Sequence, residues 1–184
     1  MNKKLSYVTC FLAFAALVAI DQLTKWLALT KLYNKEPFVI IQGVLELSYL
    51  RNSGAAWGVL EGKQGFFIFI TFIMLAASLF FFIKMPKTKH FRGLRIVICT
   101  LAAGAVGNLI DRIRNGYVHD FIYFKAINFP VFNFADICVT FSMIGLIVMI
   151  LFVYKDNDWN FLKKKKIKDV NSDNSDISGE KDGK

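Results

Sequence analysis

The stretch FFIFITFIMLAASLFFFI, Phe66 to Ile83, carries no charged side chain and is stopped by Lys84 and the helix-breaking Pro86. At 1.5 Å of rise per residue it is about as long as the hydrocarbon core of a bilayer is thick, so it reads as a spanning helix. Three further apolar blocks flank it, one before from Leu5 to Leu29 and two after, from Leu94 to Arg112 and from Ala135 to Tyr154. The chain of 184 residues is 55% hydrophobic and 15% aromatic, with 19 Phe, which excludes a disordered, collagenous or disulfide-framework protein. Lipid cannot hydrogen-bond the backbone, so blocks of this length span as helices, a β-barrel needing shorter alternating strands. The predicted fold is an all-α integral membrane protein, a four-transmembrane-helix bundle with a small outer β-hairpin or loop element. Residues 1–162 form its one domain.

Basic residues set the expected direction. Lys3 and Lys4 precede the first span, Lys84, Lys87, Lys89, Arg92 and Arg95 fill the second link without an acid, and Lys163 to Lys166 open the tail. With alternating helices all three groups lie on one side, the cytoplasm, so the N- and C-termini are expected there. The connections 30–65 and 111–134 then face outward. The net charge of +9 is read as topology and contact with acidic headgroups, with no nucleic-acid partner.

Lys3, Lys4 and Ala13-Phe14-Ala15 imitate a cleaved signal peptide, but the apolar run continues through Ile20 to Leu29, which favours a retained span. The three cysteines, Cys10, Cys99 and Cys138, all fall inside spans and read as packing. Residues 163–184, basic and then polar, have too little apolar content to order themselves. No internal repeat is evident.

Ionisable groups in a membrane are costly and usually functional, so the polar residues within the spans carry the functional signal. Asp21 and Lys25 form an i,i+4 pair about 24 Å along the first helix from Leu5. Gly104, Gly107, Asn108 and Asp111 share one face of the third, with Arg112 following. Asn133, Asp136 and Thr140 begin the fourth. Three polar helix faces thus converge just under the outer surface. Asp21 with Lys25 suits a buried ion pair pinning the bundle, the glycines suit close helix packing, and Arg112 suits either snorkelling or a substrate carbonyl. Asp120, in Gly116-Tyr117-Val118-His119-Asp120-Phe121, sits at the other end of the connection from Asp136, which can fold back to oppose them. Two carboxylates at one site cannot both ionise, and such a pair can activate water against an amide. The residues alone leave Asp111, Asp120 and Asp136 all as candidates.

Metal chemistry is disfavoured because the two histidines, His90 and His119, lie on opposite sides, and no serine sits in a nucleophile elbow near His119. No metal or organic cofactor is expected. In the first outer connection Phe38 to Ile41 and the alternating Leu45, Leu47 and Tyr49 predict an amphipathic hairpin. Asn52 to Gly58 after it is either an interfacial turn with a Trp anchor or a flap presenting Asn52 to a bound peptide.

Five ordered segments, Asp21-Gln22-Leu23-Thr24-Lys25, Asn52-Ser53-Gly54-Ala55-Ala56-Trp57, Gly107-Asn108-Leu109-Ile110-Asp111-Arg112, Gly116-Tyr117-Val118-His119-Asp120-Phe121 and Phe132-Asn133-Phe134-Ala135-Asp136, resemble those of lipoprotein signal peptidase. That family is the type II signal peptidase of bacteria, a membrane aspartic protease, and the resemblance covers roughly residues 5 to 155. It implies that Asp120 and Asp136 are catalytic. It implies that Asn52, Gly54, Asn108, Asp111, Arg112, Asn133 and Ala135 bind substrate or support the site, and that Asp21 and Lys25 hold it together. Ala103 stands where many members have a second glycine before Gly104. The implied substrate is a lipid-modified prolipoprotein, cut before its diacylglyceryl cysteine at the outer face of the bacterial cytoplasmic (inner) membrane. The implied surroundings are membrane lipid, and the implied inhibitor is of the globomycin type. A proton-coupled transporter is opposed by the missing repeat and by polar residues at the outer edge, not the midplane. A lipid-binding or assembly protein whose aspartates only cap helices is the other rival.

Overall fold

The computed structural model describes residues 3–54 and 60–162. Residues 55–59, in the segment read as a flap, and the tail 163–184 lie outside the described residues. The described elements run α1 (Lys3–Leu32), β1 (Phe38–Ile41), β2 (Leu45–Asn52), α2 (Gln64–Lys84), α3 (Arg92–Asn115), β3 (Val118–Phe124) and α4 (Phe134–Val148). A π-helical turn, Met149–Val153, extends α4. Four helices are long and apolar enough to cross a membrane, each within a few residues of its predicted span.

The helix ends follow local chemistry. Met85, extended before Pro86, terminates α2. Gly116, at φ 74°, caps α3 in the left-handed conformation that a side chain disfavours. Asn133 opens α4 with a capping box, its side chain accepting from the Asp136 N–H while the Asp136 carboxylate accepts from the Asn133 N–H.

The hub is α3. The other three helices pack on it, while α2 scarcely touches α1 or α4. Half of the apolar window of α3 is buried, against 6% of that of α2, because α2 presents its aromatic side chains to lipid. Gly104 allows the approach of α4: a Cβ there would stand 2.6 Å from the Ala135 carbonyl oxygen.

The predicted hairpin is present as β1 and β2, but it is two-thirds of a sheet. β3, drawn from the connection after α3, pairs antiparallel with β2 and gives the order β1-β2-β3. The alternation along β2 predicted its apolar residues as the packed face, whereas the buried side chain is Glu46, 4% exposed and bonded to Lys125 at 2.7 Å. Leu45, Leu47 and Tyr49 stay half-buried, and all four residues of β1 are exposed.

Candidate active site

The polar residues of α1, α3 and α4 meet beneath β3. Lys25, 2% exposed, spends its three N–H bonds on Asp21 at 2.9 Å, Asp111 at 3.0 Å and the Asn108 side-chain oxygen at 2.9 Å. Asp21 also accepts from the Ala135 N–H at 3.0 Å, which ties α1 to the first turn of α4. Gly107 leaves room for the Asp21 carboxylate, which a Cβ at that position would strike. An uncompensated charge this deep would be costly, so the three-way sharing is what permits the burial.

That ammonium orients two amides in turn. The Asn133 oxygen accepts from the Asp136 N–H, so its nitrogen donates outward, to Asp120 at 2.6 Å and to the Asn108 oxygen at 3.1 Å. The Asn108 oxygen, holding both Lys25 and Asn133, leaves the Asn108 nitrogen to donate to Asp136 at 2.7 Å. The other Asp136 oxygen accepts from the Asn133 backbone at 3.1 Å. Asn52 donates to Asp120 at 2.7 Å while its oxygen accepts from the Gly54 N–H at 2.9 Å. Each oxygen of Asp120 and Asp136 therefore receives one N–H.

Both carboxylates line one cavity of about 570 Å³ together with Asn52, Gly54, Arg112 and Thr140. The rest of the wall is apolar, from Phe67, Ile137 and Phe141 on the helices and from residues 124, 127 and 129–132 of the outer connection. That connection folds back because Phe121 and Ile122 donate to the Phe132 carbonyl and Phe132 returns a bond to Ile122. Burial, and then the neighbouring Asp136, push the Asp120 carboxyl up to about 7 against the opposing hydrogen bonds of Asn52 and Asn133. The Arg112 guanidinium stands 4.9 Å from the Phe67 ring centroid, and its Nε is buried with no acceptor among the described residues. Arg112 thus brings a cation to the cavity wall.

Asp111 does not line the cavity. It turns to Lys25 and accepts from the His119 backbone N–H at 3.2 Å. On the opposite face of β3 from Asp120, the His119 ring meets the Tyr49 hydroxyl at 2.6 Å and the Asn115 amide at 3.2 Å, and burial lowers its pKa. Tyr49, Asn115 and the support from Gln22, which donates to Asp21, Asp111 and the Gly107 carbonyl, were not singled out by the sequence reading. Gln22 alone carried a hint, as the neighbour of Asp21. Among the described residues no three His, Cys, Asp or Glu side chains converge to hold a metal ion.

Residues 13–152 match the model of the family Signal peptidase (SPase) II. The chain belongs to the signal peptidase II family. It is therefore a peptidase, and its spanning helices make it a multi-pass bacterial membrane protein. The lipoprotein signal peptidases of Staphylococcus aureus strains JH9 and Newman are each 40% identical to it over 170 residues, 91% of this chain and the whole of theirs. A bacterial membrane enzyme structure obtained by the in meso method at 2.3 Å superposes with a TM-score of 0.69 at 36% identity, covering 87% of this chain and 94% of its own. A second such structure, at 1.9 Å, gives a TM-score of 0.70 at 38% identity over 79% of this chain and 94% of its own. The Asp21, Lys25, Asn108, Asp111, Arg112, Asn133 and Asp136 cluster thus lies inside the signal peptidase II match, as does Asp120.

Proposed function

We propose that the protein is an aspartic endopeptidase that removes the signal peptide from diacylglyceryl-modified prolipoproteins, cleaving just before the lipidated cysteine. The observation that carries this reading is the pairing of Asp120 and Asp136 in one apolar-walled cavity at the end of the spanning helices. A substrate whose lipid lies in the bilayer and whose scissile bond lies at its edge meets both requirements there. Family membership and the likeness to the lipoprotein signal peptidases of Staphylococcus aureus support the substrate class.

Near neutral pH Asp120, pushed up to about 7, holds the proton of the pair. Asp136 takes a proton from water as the water oxygen attacks the scissile carbonyl, and Asp120 donates a hydrogen bond to that carbonyl oxygen. Collapse of the tetrahedral intermediate breaks the C–N bond, and the leaving amine takes up the proton carried by Asp136. Arg112, on the cavity wall, steadies the substrate backbone.

The deciding experiment incubates purified protein in detergent with a lipidated prolipoprotein. Asp120→Asn and Asp136→Asn are each expected to lower the rate by at least about a thousandfold. Full cleavage by either variant overturns the pair, and cleavage of an unlipidated precursor at the same rate overturns the lipid requirement. Globomycin is expected to inhibit. The basic link and tail place the termini in the cytoplasm and the cavity at the outer face in this reading. A cysteine placed at Gly62 is then labelled from outside and one at Thr88 is not, and the reverse pattern inverts the orientation.

A further inference from the structure

A second cavity, of about 470 Å³, lies between α1 and α2 with α3 as its floor, away from the aspartate pair. Cys10 and Phe14 form one wall, Ser78 and Phe82 the other, and Ile98 and Ala102 the base. It exists because α1 and α2 both pack on α3 and scarcely on each other, so it opens sideways into the bilayer. Between Ile98 and Val106, which mark its extent along α3, the helix rises about 12 Å. Its lining is almost wholly apolar, so an occupant of the cleft presents hydrocarbon to it, as an acyl chain does.

One end of the cleft is basic. Arg92 and Arg95 precede Ile98 by two turns and one turn on the side of α3 that floors the cleft, while Lys84, two residues beyond Phe82, leaves α2 on the opposite face. No acid occurs from residue 84 to residue 95. The acid recorded against this link from another element is Asp158, which His90 engages at 3.1 Å. Arg95 is 7% exposed and donates through Nη2 to the Pro86 and Thr88 carbonyls at 2.7 and 3.0 Å. Its Nε is buried and has no acceptor among the described residues. An apolar cleft that ends level with Arg92 and Arg95, in a stretch without acids, matches one molecule class.

We propose that the α1–α2 cleft is a binding site for an anionic phospholipid, its acyl chain in the cleft and its phosphate at the Arg92 and Arg95 end. Such a lipid fills the void that α2 leaves beside α1 and braces α2, which otherwise leans on α3 alone. The site is separate from the substrate cavity, which lies where α2 faces α4.

The full chain in nanodiscs of phosphatidylcholine containing a phosphatidylglycerol with a photoreactive acyl chain tests this. Crosslinks are expected on peptides holding Cys10, Ser78 and Ala102, and the matching phosphatidylcholine probe is expected to label them weakly. Arg92→Gln should lower phosphatidylglycerol labelling about fivefold, one cation being worth about 1 kcal/mol at a charged surface, while Lys84→Gln, on the far face of α2, should leave it within about twofold. Ala102→Trp, which fills the cleft, should abolish it while cleavage of prolipoprotein in detergent persists. Equal labelling by the two headgroups, or labelling spread evenly around the helices of the unaltered protein, overturns the proposal, and neither result depends on a variant folding.

Discussion

The two ends of the bundle are built from opposite materials. At the sheet end the buried side chains include Asp21, Lys25, Asp111, Asp120 and Asn133, none more than 3% exposed, beside the apolar Val118 and Ala135. At the other end they are Met85, Phe91, Leu94, Ile98 and Tyr154, with Trp159 and Phe161 packed against them. There Phe91 stacks on Tyr154 at 5.2 Å, and the Tyr154 hydroxyl donates to the His90 carbonyl, closing the α2–α3 link over the end of α4. An aromatic cluster stabilises without demanding one geometry, since apolar contact is nearly non-directional. A saturated polar network contributes less net stability but admits one arrangement, because every alternative strands a buried donor or charge. The end that holds the proposed aspartate pair carries the second kind of core.

The contrast breaks most sharply at Lys25. Replacing it with Met leaves Asp21 and Asp111 buried without their cation and frees the Asn108 amide to turn its oxygen toward Asp136. A loss of about 3–5 kcal/mol in stability is expected, with at least a hundredfold loss of cleavage by the molecules that stay folded. Adding Asp21→Asn and Asp111→Asn should restore much of the thermal stability in detergent and none of the activity. Recovery of both would mean that Lys25 only neutralises charge and does not orient Asn108.

Much of this contrast was legible before any coordinates. Apolar blocks of bilayer length name the helices, and the i,i+3,i+4,i+7 spacing of Gly104, Gly107, Asn108 and Asp111 names the buried face of α3. What stayed hidden depends on pairing across long separations. Val118–Phe124 becomes a strand through partners in β2 some seventy residues earlier, and the run itself lacks the alternation that would announce it. The burial of Glu46 leaves no trace in the pattern of β2, because its cation, Lys125, arrives from a turn after β3. Asn133 was legible as a cap, but its bridge between Asp120 and Asn108 exists only once α3, β3 and α4 have met. Polar partners chosen by geometry leave no periodic trace.

A smaller effect is expected at the opposite end. Phe91→Ala removes the stacking partner of Tyr154 and a contact of Phe161, which should cost about 3 kcal/mol of stability. The aspartate pair lies at the far end of α3, so cleavage per folded molecule should stay within about twofold, as expected of distant independent sites. Kinetics at a temperature where the variant is fully folded measure this. A tenfold fall in rate there would show that the two ends are coupled through α3 and that the division of labour is false.

The smallest effect concerns the stability cost of holding Asp120 ready. A carboxyl that titrates near 3.8 when exposed and at about 7 in the fold binds its proton more tightly folded than unfolded. Stability is then lost as pH rises from about 4 to about 7, the reverse in sign of a salt-bridged aspartate, whose contribution grows with pH and is complete by about pH 4 to 5. Asp120→Asn removes the titration. Its melting temperature relative to the unaltered protein should therefore climb between pH 5 and pH 8, by about 3 °C for an effect of the order of 1 kcal/mol. Cleavage by the unaltered protein should decline above pH 7 as Asp120 loses the proton it offers to the scissile carbonyl. A melting difference that is flat or falls with pH would mean that Asp120 is ionised in the fold, and the charge would then have to be assigned to it and the proton to Asp136.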